Sequence, residues 1–173
     1  EEDAVFVFFP TVASGTQFQF RVTYHGEPVE AKRPPWDGGF VWEKDKADRN
    51  FVAVACEGDG ASLWWPCKDH PTEEPDSMAI NITVPSDIMC VANGRLREKV
   101  ETDVKTTYKW FVTKPINNYN VSVNIANYAV IVDTIHSFTG IQQATYYVLD
   151  YNEAVAREHF KEARGMMRSL ETF

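Results

Sequence analysis

The dominant pattern along this chain is an alternation of apolar and polar residues with a period of two. It is clearest over residues 16–24, where Phe18, Phe20, Val22 and Tyr24 alternate with polar side chains. Successive side chains of a β-strand point to opposite faces, so this pattern predicts a half-buried strand. Similar alternation, or a short apolar run, predicts further strands at residues 5–9, 52–56, 78–84, 89–92, 108–112, 121–125, 129–133 and 144–149.

Turn residues separate these segments, among them His25-Gly26, Asn93-Gly94 and Asn117-Asn118. Many short strands punctuated by Gly, Pro and Asn are typical of antiparallel all-β domains. We therefore predict an all-β fold with an antiparallel, saddle-shaped or sandwich-like sheet arrangement.

The pattern changes after Leu149. Asp150 is placed as a helix N-cap, and Glu153 follows three residues later, as in a capping box. Apolar residues then recur at spacings of four and three, which defines one helical face: Ala156, Phe160, Ala163, Met167 and Leu170. Gly165 in the helix interior weakens an isolated helix by roughly 1 kcal/mol relative to alanine, so we expect the helix to rely on packing.

This change of period divides the chain into two parts. We expect a β domain over residues 1–150 and one C-terminal α-helix over residues 151–173 that opens a second domain. The chain starts near a strand and ends within a helix, so we expect it to be part of a larger protein.

Composition narrows the classes of partner. The 173 residues are 44% hydrophobic and 13% aromatic, which is enough for the core of one domain. The net charge of −8 argues against nucleic acid or an anionic membrane as a partner. No apolar run approaches the ~18 residues that a transmembrane helix needs. We expect no nucleic-acid binding and no transmembrane segment.

Few residue patterns here carry chemistry. The chain contains no H-E-x-x-H and no G-x-S-x-G motif. Cys67 and His70 are the nearest approach to a metal-ligand pair, but two further ligands at suitable spacing are not evident. Cys56, Cys67 and Cys90 form no C-x-x-C pair, so we expect buried thiols and no disulfide framework, with a single bridge as the alternative.

Glu57 is the most interesting ionisable residue. It follows the predicted strand at residues 52–56 and precedes Gly58-Asp59-Gly60. Glycines there would let a ligand approach closely, and a carboxylate could hold a ligand ammonium through a charge-assisted hydrogen bond. From the residues alone, a solvated glutamate at the end of a strand is the simpler explanation.

Five stretches carry a resemblance to a known family. They are Tyr24-His-Gly-Glu-Pro28, Pro34-Pro-Trp-Asp-Gly-Gly-Phe-Val-Trp42, Trp64-Trp-Pro-Cys-Lys-Asp-His-Pro71, Val91-Ala-Asn-Gly94 and Pro115-Ile-Asn-Asn-Tyr119. In this order they resemble the N-terminal domain of the aminopeptidase N family of zinc metallopeptidases. The resemblance implies a β-saddle domain packed against a thermolysin-like helical catalytic domain, which the C-terminal helix would open.

The resemblance also indicates what this chain does not contain. The family's G-x-M-E-N and H-E-x-x-H motifs are absent, so we expect no catalytic residue, no zinc ligand and no peptidase activity in these 173 residues. The parent would bind zinc and remove N-terminal residues from peptides. We expect that parent to be periplasmic or otherwise exported, with its signal segment absent from this chain.

The resemblance assigns a role to one residue. A Glu or Gln nine residues before the proline of the Pro-Cys corner contacts the substrate's α-amine in the family, and with Pro66 as that proline the position is Glu57. The corner residues Cys67, Asp69 and His70 would then be structural. The expected partners are a peptide's N-terminal amine and the missing catalytic domain.

Two other hypotheses stay open. The chain could be a stand-alone β-sandwich module that binds carbohydrate or protein, with stacking platforms from Trp36, Trp42, Trp64 and Trp65. Alternatively, its parent could have lost catalysis. If the chain is instead the N-terminal domain, an apolar surface exposed where the catalytic domain belongs would favour self-association of the isolated chain.

Overall fold

The structure, a computed structural model, describes residues 5–56, 60–68, 70 and 72–172. This part of the chain forms nine strands followed by a helical segment. The strands are β1 (Gly39–Lys44), β2 (Asn50–Ala55), β3 (Met78–Pro85), β4 (Met89–Ala92), β5 (Arg95–Glu101), β6 (Lys105–Val112), β7 (Val123–Ala126), β8 (Tyr128–Ser137) and β9 (Gly140–Leu149). The paired strands are antiparallel. The predicted all-β, antiparallel fold class is therefore confirmed.

The strands form two sheets and a hairpin. The first sheet has the order β1-β2-β7-β4, the second has the order β3-β6-β5, and β8 pairs with β9. The core contains Ile80 of β3 and Trp110 of β6 from the second sheet, together with Cys90 of β4 and Val123 of β7 from the first. The two sheets are thus held together by one shared apolar core, as in a sandwich.

The alternation of apolar and polar residues correctly predicts the strands that are buried on one face. In β3, Ile80 and Val84 are buried while Asn81 and Thr83 are exposed. Strand β4 has the predicted bounds, and β8 and β9 include their predicted segments but run longer. Alternation identifies such strands because only one of their faces contributes to the core.

The two N-terminal strand predictions are wrong. Residues 5–9 and 16–24 form no strand, and Phe18 and Phe20 are 57% and 60% exposed. Alternation shows that a segment could pair with a sheet, but a strand also needs a neighbour to complete its hydrogen bonds. No strand of the described chain provides that neighbour here.

Two strands have no counterpart in the sequence analysis. Strand β5 is exposed along its whole length and carries Arg95, Arg97, Glu98, Lys99 and Glu101. It lies at the edge of the second sheet, where charged residues discourage further pairing. Strand β1 begins at Gly39, where a Cβ would lie 2.4 Å from the carbonyl oxygen of Val29. Neither strand has the alternation that reveals a buried face.

The predicted C-terminal helix is confirmed as a helical segment from Asp150 to Glu171. It consists of α1 (Glu153–His159) and α2 (Ala163–Glu171), which are joined and preceded by short 3₁₀ turns. Four residues of the predicted face are half-buried, whereas Leu170 is 74% exposed. The ring of Phe160 stacks on Tyr146 of β9 at 4.2 Å. None of the described helices is long and apolar enough to cross a membrane.

The N-cap prediction for Asp150 is wrong. Asn152 is the N-cap of α1, and its side chain makes no capping hydrogen bond. The Asp150 carboxylate instead accepts hydrogen bonds from Arg49 at 2.5 and 2.6 Å and from the backbone N–H of Tyr151 at 2.7 Å. Arg49 is the last residue of the turn between β1 and β2, so this ion pair ties the helical segment to the β1–β2 hairpin.

Candidate functional site

The predicted site residue Glu57 lies outside the described residues, as do Asp69 and Pro71. The residues on either side of positions 57–59 are described. Cys56 is buried at the end of β2, and the backbone N–H of Gly60 donates a hydrogen bond to its carbonyl oxygen at 3.1 Å. The role of Glu57 stays a prediction.

The chain after Gly60 turns sharply over a short 3₁₀ turn, Ala61–Leu63. Ala61 is fully buried, and its carbonyl oxygen accepts hydrogen bonds from the backbone N–H groups of Trp64 and Trp65 at 3.2 and 3.4 Å. Both tryptophans are half-buried and pack against the core. Trp64 also meets the ring of Phe40 edge-on, with centroids 5.8 Å apart. Packing fixes the direction in which the chain enters the Pro-Cys corner.

Asn118, fifty positions later in the chain, holds this corner in place. Its side chain is almost fully buried, and its Nδ2 donates a hydrogen bond to the carbonyl oxygen of Lys68 at 2.8 Å. The same nitrogen lies 3.9 Å from Cys67 Sγ. A buried amide that satisfies a loop carbonyl restrains that loop, because breaking the contact would leave polar groups unpaired.

Asn93 forms hydrogen bonds to the loop that follows Tyr119. Its Nδ2 donates to the carbonyl oxygen of Asn120 at 2.9 Å, and its Oδ1 accepts from the backbone N–H of Ser122 at 2.6 Å. Gly94 follows with φ +87°, and a Cβ there would lie 2.3 Å from the carbonyl oxygen of Phe111. The close backbone approach thus requires glycine at position 94, while the side chain of Asn93 supplies the hydrogen bonds.

These contacts bring together four of the five stretches that carry the resemblance. Phe40 touches Trp64, Asn118 holds Lys68, and Asn93 holds the turn that follows Tyr119. The fifth stretch, which begins at Tyr24, lies in the exposed N-terminal part of the chain. Sequence analysis singled out these stretches but missed Asn118 as the residue that links two of them.

The nearest metal-ligand pair proposed from sequence does not form a centre. His70 Nδ1 lies 2.7 Å from Thr72 Oγ1 and 3.3 Å from the backbone nitrogen of Thr72. In the part of the chain that the structure describes, no group of three or more His, Cys, Asp or Glu side chains could hold a metal ion. The described residues therefore do not fit a zinc site.

The buried thiol of Cys90 is unsuited to nucleophilic chemistry. Burial raises its pKa to about 12, because the thiolate would lose its hydration in the core. Burial likewise raises the pKa of Tyr128 to about 12. Since the thiolate is the reactive form of cysteine, Cys90 is a core residue and not a catalyst.

Comparison with known proteins identifies the fold. No protein-family model matches the chain, and no curated protein matches it significantly. A two-domain M1 zinc metallopeptidase bound to L-arginine superposes with a TM-score of 0.54 and 18% identity, covering 69% of this chain and 27% of its own. A mutant of the M1 zinc metallopeptidase from Deinococcus radiodurans, bound to a Tyr-Ser-Ala substrate, superposes with a TM-score of 0.55 and 17% identity. The match covers 70% of this chain and 27% of that chain.

The chain shares its fold with part of the M1 zinc metallopeptidases. A further structure of the Deinococcus radiodurans protein agrees, with a TM-score of 0.51 and 17% identity over 60% of this chain and 23% of that protein. This chain thus spans about a quarter of the length of the M1 structures that it matches. At 17–18% identity this likeness shows the fold alone, and it does not single out aminopeptidase N.

Proposed function

We propose that this chain is the non-catalytic N-terminal domain of a zinc-dependent M1 aminopeptidase of the aminopeptidase N type, and that it forms part of the substrate cleft. The observation that carries this proposal is the fold shared with M1 zinc metallopeptidases, one of which is described with a Tyr-Ser-Ala substrate. The contacts among four of the five family-like stretches support it independently, since they give those stretches a common structural role.

Within this proposal, Glu57 receives the peptide's α-ammonium group. In sequence, Glu57 comes two residues after Ala55, the last residue of β2. Strand β2 pairs with β1 along six residues and with β7 at Val52. An interior strand is a rigid support, and a site on such a support can hold a ligand precisely enough for chemistry. Fixing the terminal nitrogen also fixes the peptide bond one residue away, which gives a preference for free N-termini.

Zinc belongs to the rest of the parent in this proposal. The described residues do not fit a metal centre, and all 173 residues lack H-E-x-x-H and G-x-M-E-N. The task of this chain is to bind and orient the substrate. We therefore expect the isolated chain to hydrolyse no aminoacyl substrate.

Kinetics of the full gene product that contains this chain test the role of Glu57. Loss of a charge-assisted hydrogen bond, about 1.5–3 kcal/mol, should lower kcat/KM of the Glu57→Ala variant roughly 10- to 100-fold on a free-amine aminoacyl p-nitroanilide. The exposed Glu74→Ala variant is the matched control and should keep its activity. Unchanged kinetics for Glu57→Ala would refute the assigned role.

The second candidate is a stand-alone binding module, and the exposure of two tryptophans favours it. Trp36 and Trp42 are 73% and 52% exposed. Trp42 stacks on Phe40 at 5.3 Å, so its indole is held in place for stacking against a sugar ring. Binding of a hexasaccharide by the isolated chain, lost on Trp42→Ala, would support this function. Absence of such binding would leave the peptidase proposal alone.

A further inference from the structure

The loop that leads into β1, named the Pro-Pro-Trp loop and defined as residues 32–38, is closed at its base. The backbone N–H of Ala31 donates a hydrogen bond to the carbonyl oxygen of Phe40 at 2.8 Å. The backbone N–H of Phe40 in turn donates to the carbonyl oxygen of Val29 at 2.7 Å. Gly38, at the end of the loop, is buried, whereas most of the loop is exposed. The loop therefore projects into solvent from a fixed base.

Contacts inside the loop restrain its tip. The carbonyl oxygen of Arg33 accepts hydrogen bonds from the backbone N–H groups of Trp36 at 2.9 Å and Asp37 at 3.3 Å. The Arg33 guanidinium also donates two hydrogen bonds to the Asp37 carboxylate, each at 3.2 Å. Pro34 and Pro35, which lie between them in sequence, each have a fixed φ. The backbone that carries Trp36 is therefore held in one conformation by several restraints.

Trp36 is the most exposed of the five tryptophans, with 73% of its surface accessible. Within the described residues, no aromatic ring stacks on its indole and no cation lies over it. By contrast, Trp64 and Trp65 pack against the core, and Trp42 stacks on Phe40. A tryptophan on a restrained backbone offers a large contact area at a small cost in conformational entropy. Its position suits Trp36 for contact with a ligand.

The Pro-Pro-Trp loop joins the β1–β2 pair at the end where β2 stops. Gly39, the first residue of β1, pairs with Ala55, the last residue of β2. Counted along the sequence, Asp37 comes two positions before Gly39, and Glu57 comes two positions after Ala55. Because paired strands are only about 4.8 Å apart, the loop that carries Trp36 begins next to the end of β2.

The base of the loop also contacts the Pro-Cys corner. The ring of Phe40 meets Trp64 edge-on, with centroids 5.8 Å apart. The corner itself is attached to the end of β2, because the backbone N–H of Gly60 donates to the carbonyl oxygen of Cys56. The Pro-Pro-Trp loop and the corner are thus both fixed to the strand end that leads to the predicted amine site.

The chemistry of the loop tip favours an apolar ligand group. Pro34, Pro35 and Trp36 carry no charge. The charges of Arg33 and Asp37 are paired with each other, so neither calls for a charged ligand. An exposed indole makes its best contacts with apolar and aromatic side chains, which it meets edge-on or in offset stacking.

We propose that Trp36 is a specificity-determining residue that contacts the side chain of the substrate's first residue and favours a large apolar or aromatic one. This inference rests on the proposed function, in which Glu57 holds the α-ammonium group. The α-nitrogen and the side chain of that residue are attached to the same Cα, so holding the nitrogen keeps the side chain close to the end of β2. The Pro-Pro-Trp loop lies beside that strand end.

Kinetics of the full gene product on two substrates test this inference. Phenylalanyl and alanyl p-nitroanilide share the α-amine and the leaving group, so the ratio of their kcat/KM values isolates the contribution of the side chain. Trp36→Ala should lower this ratio about 10-fold, and Trp36→Phe should restore part of the loss. The matched control Phe138→Ala removes an aromatic ring that is 75% exposed on the β8–β9 hairpin, and it should leave the ratio unchanged.

The outcomes separate this inference from the proposed function. Glu57→Ala should lower kcat/KM for both substrates by a similar factor, because both carry the α-amine. If it lowers neither, the proposed amine recognition fails. If it lowers both while Trp36→Ala leaves the ratio unchanged, only the role of Trp36 fails. General damage to the fold would lower both rates equally without changing the ratio, and an equal change of ratio in the Trp36 and Phe138 variants would also overturn the inference.

Discussion

The carboxamide nitrogen of Asn118 donates a hydrogen bond to the carbonyl oxygen of Lys68, 2.8 Å away and fifty positions earlier in the chain. This bond joins the loop after β6 to the corner after β2. The corner leads back through Trp64 to Gly60, which is bonded to the end of β2. The relationship explains why stretches far apart in sequence can serve one structural purpose.

The Asn118→Ala variant should be less stable than the original chain. The substitution removes a buried donor and leaves the Lys68 carbonyl oxygen unpaired, which costs about 1–3 kcal/mol. Urea denaturation followed by tryptophan fluorescence measures this change, because Trp64 and Trp65 lie in the affected corner. Asn81→Ala, on the exposed face of β3, is the control and should change stability by less than about 0.5 kcal/mol. Equal stability of the two variants would contradict a stabilising role for the hydrogen bond between Asn118 and Lys68.

Two glycine substitutions should have opposite effects. Gly94 has φ +87° and no room for a Cβ, so Gly94→Ala should lose about 1–3 kcal/mol from backbone strain alone. Gly165 lies in α2, and nothing lies within 4 Å of the position that its Cβ would take. Gly165→Ala should therefore gain up to about 1 kcal/mol of helix stability. Thermal unfolding of both variants checks the pair, and a shift of the same sign in both would contradict it.

Two ion pairs make the docking of the helical segment dependent on pH. Hydrogen bonds from Arg49 lower the pKa of Asp150, and hydrogen bonds from Arg164 lower the pKa of Asp133. Each pair joins the helical segment to a strand or hairpin of the β domain. A carboxyl pKa that is lower in the folded state stabilises the fold above the unfolded value, about 3.9 for Asp, and the contribution disappears as pH falls through the folded value. Docking should therefore weaken below about pH 4.

Carboxyl titration by NMR tests this assignment residue by residue. Arg49→Gln should return the pKa of Asp150 towards its ordinary value and leave that of Asp133 unchanged. Arg164→Gln should do the reverse, so each variant is the control for the other. Titration curves that neither substitution moves would show that these pairs do not form in solution.

A strand of this chain can be predicted from the sequence where one of its faces is buried and the other is exposed. The strand β3 was predictable because Ile80 and Val84 alternate with exposed residues against a core. The same reasoning failed at residues 16–24, because alternation carries no information about whether a neighbouring strand is present. Strand β5 could not be predicted from alternation because it is exposed on both faces.

The candidate site was less accessible to sequence analysis than the fold. Glu57 could be selected only through its distance from Pro66 in a family-like stretch. The hydrogen bond from Asn118 to Lys68 could not be predicted, because an amide and a backbone carbonyl fifty residues apart meet only through tertiary packing. The Asp150 cap failed for a similar reason, since Arg49 from a distant hairpin competes for the carboxylate.

The zinc content and activity of the full gene product that contains this chain test the proposed function most directly. We predict about one zinc ion per polypeptide and release of the N-terminal residue from peptides with a free α-amine, with no release from N-acetylated peptides. A full-length product without zinc that hydrolyses neither kind of peptide would contradict the proposal that this β domain belongs to a working aminopeptidase.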